Sequence, residues 1–252
     1  MTVKAAFPYC GHKHAHPKAD ALAIETWDLS TGYPGDERAA LTSINIAVPA
    51  GTCVALVGHN GAGKSTLLKT AAGLLPIRSG DMRILGHAIG RCHNRVVYLP
   101  QRSEIDWQFP MNVGRLVMSG RYVHLGWMHR PAAHDKKIIA SAMEQLDISD
   151  LAERQISQLS GGQQQRVLLA RAVAQGADLF LLDEPLNAID TQTREIVSRV
   201  LKDLRKNGKT VVVATHFIDQ LASDYDGAVY LSEGKQVTPA PGSFTGKKIG
   251  KK

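Results

Sequence analysis

The chain has 252 residues, 44% of them apolar, and 30 Lys and Arg against 23 Asp and Glu give a formal net charge of +7. That length and apolar share suit a folded α/β domain and exclude wholesale disorder, and no stretch approaches the roughly 18 unbroken apolar residues of a spanning helix. Apart from the closing KKIGKK the positive charge is scattered, and no basic helix is interleaved with aromatics. Nucleic acid is therefore not expected as a partner. Most of the charge reads as a solvated face and a frayed tail, the alternative for the clustered basic residues being attraction to an anionic membrane surface.

The first twenty residues read as a polar, His-rich tail in which Cys10, His12, His14 and His16 alternate with other residues. Cys and His at that spacing suit zinc and other borderline metals, although such a cluster is also what a solvated tail looks like. The opening lacks the charged, apolar and small-residue succession of a secretory signal. Cys10, Cys53 and Cys92 are odd in number and show no paired spacing, which fits a reducing compartment. A cytoplasmic protein is expected.

From Ala21 onward short apolar runs appear: ALAIETW, INIAV and CVALV, each of strand length and bounded by Gly, Pro, Asp or Asn. A Gly-rich turn comes after CVALV, and KSTLLKTAAGLL then predicts a helix ending near Gly73. MRIL and VVYL are further strand candidates. Between Gln101 and about Gln155 the texture turns helical and aromatic. There NVGRLVMSGRY and HDKKIIASAMEQLDI are helix candidates, and Ile138, Ile139, Ala142, Met143 and Leu146 form one apolar stripe in the second. Alternation then resumes with helical GQQQRVLLARAVAQ, strand LFLL, amphipathic TQTREIVSRVLKDLRKN and strand VVVAT. In the last helix Ile196, Val197, Val200, Leu201 and Leu204 share one side. Strands alternating with helices predict a mostly parallel sheet covered on both faces, interrupted by a helical insertion.

Three constellations carry chemistry. Gly58, His59, Asn60, Gly61, Ala62, Gly63, Lys64, Ser65 and Thr66 fit G-x-x-x-x-G-K-[ST] between an apolar strand and a helix, the context that motif requires. Backbone N–H groups in such a turn, with the helix end beneath them, cradle phosphates. Lys64 would reach the β and γ phosphates of a nucleoside triphosphate, and Ser65 would ligate magnesium. At LFLLDEP an apolar run ends in two acids, the place where parallel strands face a ligand crevice. Successive side chains diverge, so Asp183 suits a magnesium ion and Glu184 suits a general base for water. Third, Ser160, Gly161, Gly162 and Gln163 open a helix. Ser160 fits an N-cap, and the two glycines also expose N–H groups to an anion. One nucleotide would not fill both cradles within one subunit.

The LSGGQ string resembles the signature of ATP-binding cassette ATPases, and the resemblance extends over nearly the whole chain. It implies an α/β P-loop NTPase (RecA-like) with a mostly parallel sheet, an antiparallel β subdomain and an inserted α-helical subdomain. The implied boundaries are a tail over 1–20, a nucleotide-binding domain over 21–238 with the helical subdomain at about 102–160, and a basic tail over 239–252. It further implies a head-to-tail dimer in which Ser160 and Gly162 of one copy complete the ATP site of the other. Gln101 matches the glutamine that senses magnesium and the attacking water. Asp190 matches the loop aspartate that communicates between subunits, His216 the histidine that contacts the γ-phosphate, and Tyr33 the aromatic that stacks on adenine.

The segment from Tyr98 to Pro110, with Gly120-Arg121-Tyr122 and Leu125-Gly126-Trp127, is similar to the ATPase subunits of manganese, zinc and iron importers. That resemblance implies a peripheral location on the cytoplasmic face of the cell membrane and a polytopic membrane permease as partner. An extracytoplasmic metal-binding protein would be an indirect partner. Two departures from the family pattern are Thr215, where a His or Val is common, and PLNAID in place of PFAGVD; neither removes a catalytic group. A soluble cassette ATPase acting on DNA or ribosomes is the second class. It would carry two cassettes or a long coiled-coil insertion, and this sequence has neither. An exporter cassette would keep the catalytic motifs, and only the Gln101–Trp127 segment separates the two.

Overall fold

A computed structural model describes residues 15–125, 130–216 and 221–238. Cys10, His12, His14, Gly126, Trp127 and the basic tail over 239–252 lie outside the described residues. In chain order the elements are β1 (Ile24–Thr31), β2 (Leu41–Ile44), β3 (Ala47–Val48), β4 (Cys53–Val57), α1 (Lys64–Ala71), β5 (Ile77–Ile84), β6 (His87–Ala88) and β7 (Val96–Leu99). Next come α2 (Val113–Ser119), α3 (Tyr122–Leu125), α4 (Ala133–Gln145), α5 (Gly161–Gln175), β8 (Leu179–Asp183), α6 (Thr191–Lys206), β9 (Thr210–Thr215), α7 (Leu221–Asp224), β10 (Gly227–Ser232) and β11 (Lys235–Gln236).

Two sheets organise the chain. The larger runs β11-β10-β4-β9-β8-β7 and is parallel except at its β11 edge. The smaller, β2-β1-β5-β6 with β3 also on β1, is antiparallel. Every residue of β4, β8 and β9 is buried, as expected for strands covered on both faces. The two-residue period of a strand then divides β8 and β9 between two cores. Leu179, Leu181, Val212 and Ala214 pack with Leu67, Leu68 and Ala71 of α1 and with the antiparallel sheet. Phe180, Leu182, Val211 and Val213 pack on the other side with Val167, Leu169, Val197 and Val200. Val113, Val117, Ala142, Met143 and Leu146 of the helical insertion extend that second core, so the predicted stripe on α4 faces inward.

Several elements differ from the pattern-based expectation. The predicted strand INIAV is divided between the end of β2 and β3. The helix expected over NVGRLVMSGRY is broken at Gly120, where a Cβ would stand 2.3 Å from the Arg171 carbonyl of α5. The strand expected at MRIL begins five residues earlier, at Ile77. Ser79, Gly80 and Asp81 inside it look like a turn, but Gly80 (φ +78°) opposes the carbonyls of Trp27 and Asp28 at an irregular step in the β1–β5 pairing.

Register places the site. In the parallel sheet Leu99 pairs with Leu182, Asp183 with Ala214, and Val57 with Thr215. The carboxyl ends of β4, β7, β8 and β9 are thus level. The residues that leave them, Gly58, Gln101, Glu184 and His216, emerge along one edge of the sheet.

Candidate active site

The turn after β4 is built around its glycines. Gly61 and Gly63 have φ of +81° and +101°, a region that side chains disfavour. A Cβ on Gly63 would stand 2.4 Å from Leu41 Cδ2, and one on Gly58 would stand 2.5 Å from the Leu231 carbonyl oxygen. The antiparallel sheet and β10 therefore clamp the turn. Lys64 begins α1 and is buried, and its Nζ donates to the carbonyls of Gly58 (2.8 Å) and His59 (3.1 Å). It also pairs with Glu184 Oε1 at 3.6 Å. His59 Nδ1 lies 2.7 Å from the Asn60 carbonyl, while Ala62 and Thr66 are buried in the turn and first helical turn.

Asp183 closes β8 and is 1% exposed. Its Oδ2 accepts from the Tyr98 hydroxyl at 3.2 Å, but its Oδ1 is buried without a hydrogen-bond partner among the described residues. Burial pushes its carboxyl above the usual carboxylate range, the Ser65 and Tyr98 hydroxyls pull it back, and Glu184 and Glu104 add to the rise. The same burial and the Asp183 charge push the Tyr98 phenol upward. A buried carboxylate oxygen without a donor, beside the Ser65 hydroxyl, is the donor set of a hard divalent cation. Magnesium fits it.

Glu184 sits at φ +51° immediately before Pro185, a conformation sustained only by its surroundings. Its N–H donates to the Ala214 carbonyl (3.2 Å) and Asn187 Nδ2 donates to its Oε2 (2.9 Å). Its Oε1 faces Lys64 and, at 3.8 Å, His216 Nδ1. Three of the sequence-predicted residues, Lys64, Glu184 and His216, thus meet at one carboxylate. Gln101 lines an open cleft of about 330 Å³ together with Arg102, Trp107, Gln165, Glu184 and Asn187.

Ser160 and Gln163 form a capping box: Ser160 Oγ accepts from the Gln163 N–H (3.3 Å) and Gln163 Oε1 accepts from the Ser160 N–H (2.9 Å). The glycines between them are constrained by neighbours. A Cβ on Gly161 would stand 2.3 Å from Arg102 Nη1, and one on Gly162 would stand 2.6 Å from both Asp190 Oδ2 and Thr193 Oγ1. Asp190 itself caps α6, accepting from the Thr193 N–H (2.9 Å) and hydroxyl (2.8 Å), bonds that hold its carboxyl below the usual range. Ser160–Gln163 contacts Arg102 and Asp190, and Lys64 contacts its own turn and Glu184. The two predicted phosphate cradles are separately built.

Tyr33 is 39% exposed, on the loop after β1. Arg78 of β5 organises that loop by donating to the carbonyls of Tyr33 (2.9 Å), Asp36 (2.7 Å) and Glu37 (3.3 Å). Arg78, Tyr98 and Asn187 were missed by motif reading. Asn187 stands three residues after Glu184, a spacing that signals a turn contact, whereas Arg78 and Tyr98 reach the site only through sheet pairing. Phe109 and Tyr122 are about half exposed on the helical insertion, while Trp107 Nε1 donates inward to the Arg102 carbonyl (3.0 Å).

A family model described as ABC transporter matches residues 41–187. The zinc transport system ATP-binding protein TroB of Treponema pallidum is 41% identical over 86% of this chain and 81% of its own length. The manganese transport system ATP-binding protein MntB of Bacillus subtilis is 40% identical over 86% of each chain. Among solved structures, a dimeric ATP-binding cassette in a post-hydrolysis state with ADP and Pi superposes with a TM-score of 0.74. It is 25% identical, over 85% of this chain and 97% of that one.

Proposed function

The chain belongs to the ABC transporter family as an ATP-hydrolysing, ATP-binding subunit, and from that premise we propose that it couples ATP turnover to import of a divalent transition metal. The nucleotide-binding domain spans 21–238, with its helical subdomain at about 102–160, between a His-rich tail (1–20) and a basic tail (239–252). Zinc or manganese is the favoured cargo, because TroB and MntB are named for those metals and match over most of the chain; iron is the third metal of this class. The metal passes through a separate polytopic membrane subunit, with an extracytoplasmic metal-binding protein upstream. No helix among the described residues is long and apolar enough to cross a membrane. A peripheral place on the cytoplasmic face belongs to the same proposal, as the location of a subunit that drives a membrane permease.

The observation that carries the catalytic reading is the convergence of Lys64 and His216 on the Glu184 carboxylate beside the unpartnered Asp183 oxygen. ATP enters with adenine on Tyr33 and its phosphates over the N–H groups of Gly58–Thr66. Lys64 exchanges the carbonyls of Gly58 and His59 for β and γ phosphate oxygens. Ser65, Gln101 and Asp183 would hold magnesium, which when bound neutralises phosphate charge. Glu184, released from Lys64, accepts the proton of the attacking water, and Asn187 keeps its other oxygen directed. His216 steadies the γ-phosphate. Ser160, Gly161, Gly162 and Gln163 of a second copy close over the same triphosphate, and Asp190 lies beside that turn to relay closure between copies. Catalysis is positioning plus electrostatics.

Reconstitution with its membrane subunit in sealed vesicles tests the cargo. ATP-dependent uptake of zinc or manganese supports the proposal. ATP hydrolysis with no uptake of zinc, manganese or iron contradicts it.

A further inference from the structure

The glycines of the Ser160–Gln163 turn were expected on phosphate-binding grounds, but in the fold Gly161 also answers to a neighbour. The Arg102 guanidinium is packed against it with Nη1 nearest: a Cβ there would meet Nη1, Cζ and Nη2 at 2.3, 3.0 and 3.4 Å. Arg102 directly follows Gln101. Its guanidinium makes no ion pair among the described residues, so packing against Gly161 is what accounts for where it rests.

The segment carrying Arg102 is itself held firmly. The Glu104 N–H donates to the Gln101 carbonyl (2.9 Å), and Ile105 N–H and Trp107 Nε1 both donate to the Arg102 carbonyl (3.3 and 3.0 Å). The Glu104 carboxylate pairs with Lys69 of α1 at 3.0 Å. Burial works against the Lys69 charge, yet the Glu104 hydrogen bond and charge together hold its pKa above the usual value. Lys69 stands five residues after Lys64 on the helix that rises from the phosphate turn. A continuous set of contacts thus runs from α1 through Lys69, Glu104 and the Gln101–Glu104 turn to Arg102 and Gly161.

We propose that Arg102 is a positioning residue: its guanidinium sets the place of the Gly161 turn relative to the chain's own phosphate turn, so that each copy presents its signature in register with its own nucleotide site. This inference rests on the dimeric ATP-hydrolysing reading above. Arg102 acts through Gly161, not on the reacting atoms. Its loss weakens ATP-driven closure of two copies and leaves the first capture of nucleotide by a single copy intact.

The test uses the full chain and four substitutions. Arg102→Ala is expected to bind a fluorescent ATP analogue as the parent does, to lower kcat about tenfold, and to leave KM for ATP within about twofold. In a Glu184→Gln background, Arg102→Ala should raise the ATP concentration needed for dimerisation about tenfold. Arg102→Lys, which keeps the charge without the flat fork, should recover part of that loss. Glu104→Gln, which removes the link to Lys69, should shift dimerisation in the same direction as Arg102→Ala. A residue that only supports the fold would lower the melting temperature and leave the ATP dependence of dimerisation unmoved. If Arg102→Ala dimerises at the parental ATP concentration and keeps the parental kcat, the inference is wrong. If Arg102→Ala fails to fold, Arg102→Lys and Glu104→Gln decide by the same readout. Should the parent neither hydrolyse ATP nor dimerise as Glu184→Gln, it is the dimeric ATPase reading that fails instead.

Discussion

Lys64 Nζ and Glu184 Oε1 lie 3.6 Å apart, both side chains at most 9% exposed, with the lysine also bonded to two carbonyls of its own turn. In the proposed mechanism these are the cation that would take phosphate and the carboxylate that would take the water's proton, and here they hold one another. On that proposal, a triphosphate that draws Lys64 away would leave Glu184 with Asn187 and His216 as its neighbours, so that binding itself would prepare the base.

Glu184→Gln keeps the shape and the Asn187 contact but cannot accept a proton. Turnover should fall by about 10²–10⁴-fold with ATP binding retained. Asn187→Ala, which frees one carboxylate oxygen, should lower kcat about tenfold with KM little changed, the equivalent of one charge-assisted hydrogen bond. Steady-state kinetics on both variants checks the pair. A Glu184→Gln chain hydrolysing at the parental rate would remove Glu184 as the base.

Arg78 touches no phosphate in this reading, yet it holds three carbonyls of the loop that presents Tyr33. Arg78→Ala should raise KM for ATP about three- to tenfold through loss of loop order, with kcat unchanged. A selective fall in kcat would contradict that role.

Gly63→Ala tests the clamp on the phosphate turn. Alanine there must adopt φ near +101° and meet Leu41 at 2.4 Å. The combined strain and overpacking, about 2–4 kcal/mol, should lower Tm by about 5–10 °C. Differential scanning calorimetry without nucleotide is the check, and an unchanged Tm would show that the turn is loosely held.

The helical insertion carries its own pH signature. Asp135 accepts from the Ala132 N–H (3.0 Å) and from Arg121 Nε (3.0 Å), and these contacts hold its carboxyl below the usual range. A lowered folded pKa gives stability that is present above the unfolded pKa and is lost as pH falls through the folded one. Asp135→Asn should therefore melt earlier at neutral pH, and the gap to the parent should close only below the ordinary carboxylate range. A gap that grows with acidity would reverse the sign of this contribution.

Much of the site was legible because local pattern and chemistry coincide there. The apolar runs CVALV and LFLL mark parallel strands, and the residues just beyond the end of each must sit at the crevice, so Gly58–Thr66 and Asp183–Glu184 could be read without coordinates. The Ser160 N-cap was equally local, while the reciprocal bond from the Ser160 N–H to Gln163 Oε1 emerged with the fold. Residues that arrive by sheet pairing or tertiary packing were not legible: Arg78 lies 45 residues from Tyr33, and Tyr98 lies 85 from Asp183. VVVAT was also the last strand expected. The pairing of GAVYLS with β4 emerges only in the fold, although Leu231 of that strand is what makes Gly58 a glycine. β5 was truncated because Ser-Gly-Asp reads as a turn when its partner strand is not in view.

Sedimentation of the Glu184→Gln chain with and without saturating Mg-ATP addresses the two-copy clamp directly. The account predicts a monomer without nucleotide, a dimer with it, and a return to monomer when Ser160→Arg is added. A chain that remains monomeric in saturating Mg-ATP, while the parent hydrolyses at a specific rate independent of its own concentration, would contradict it.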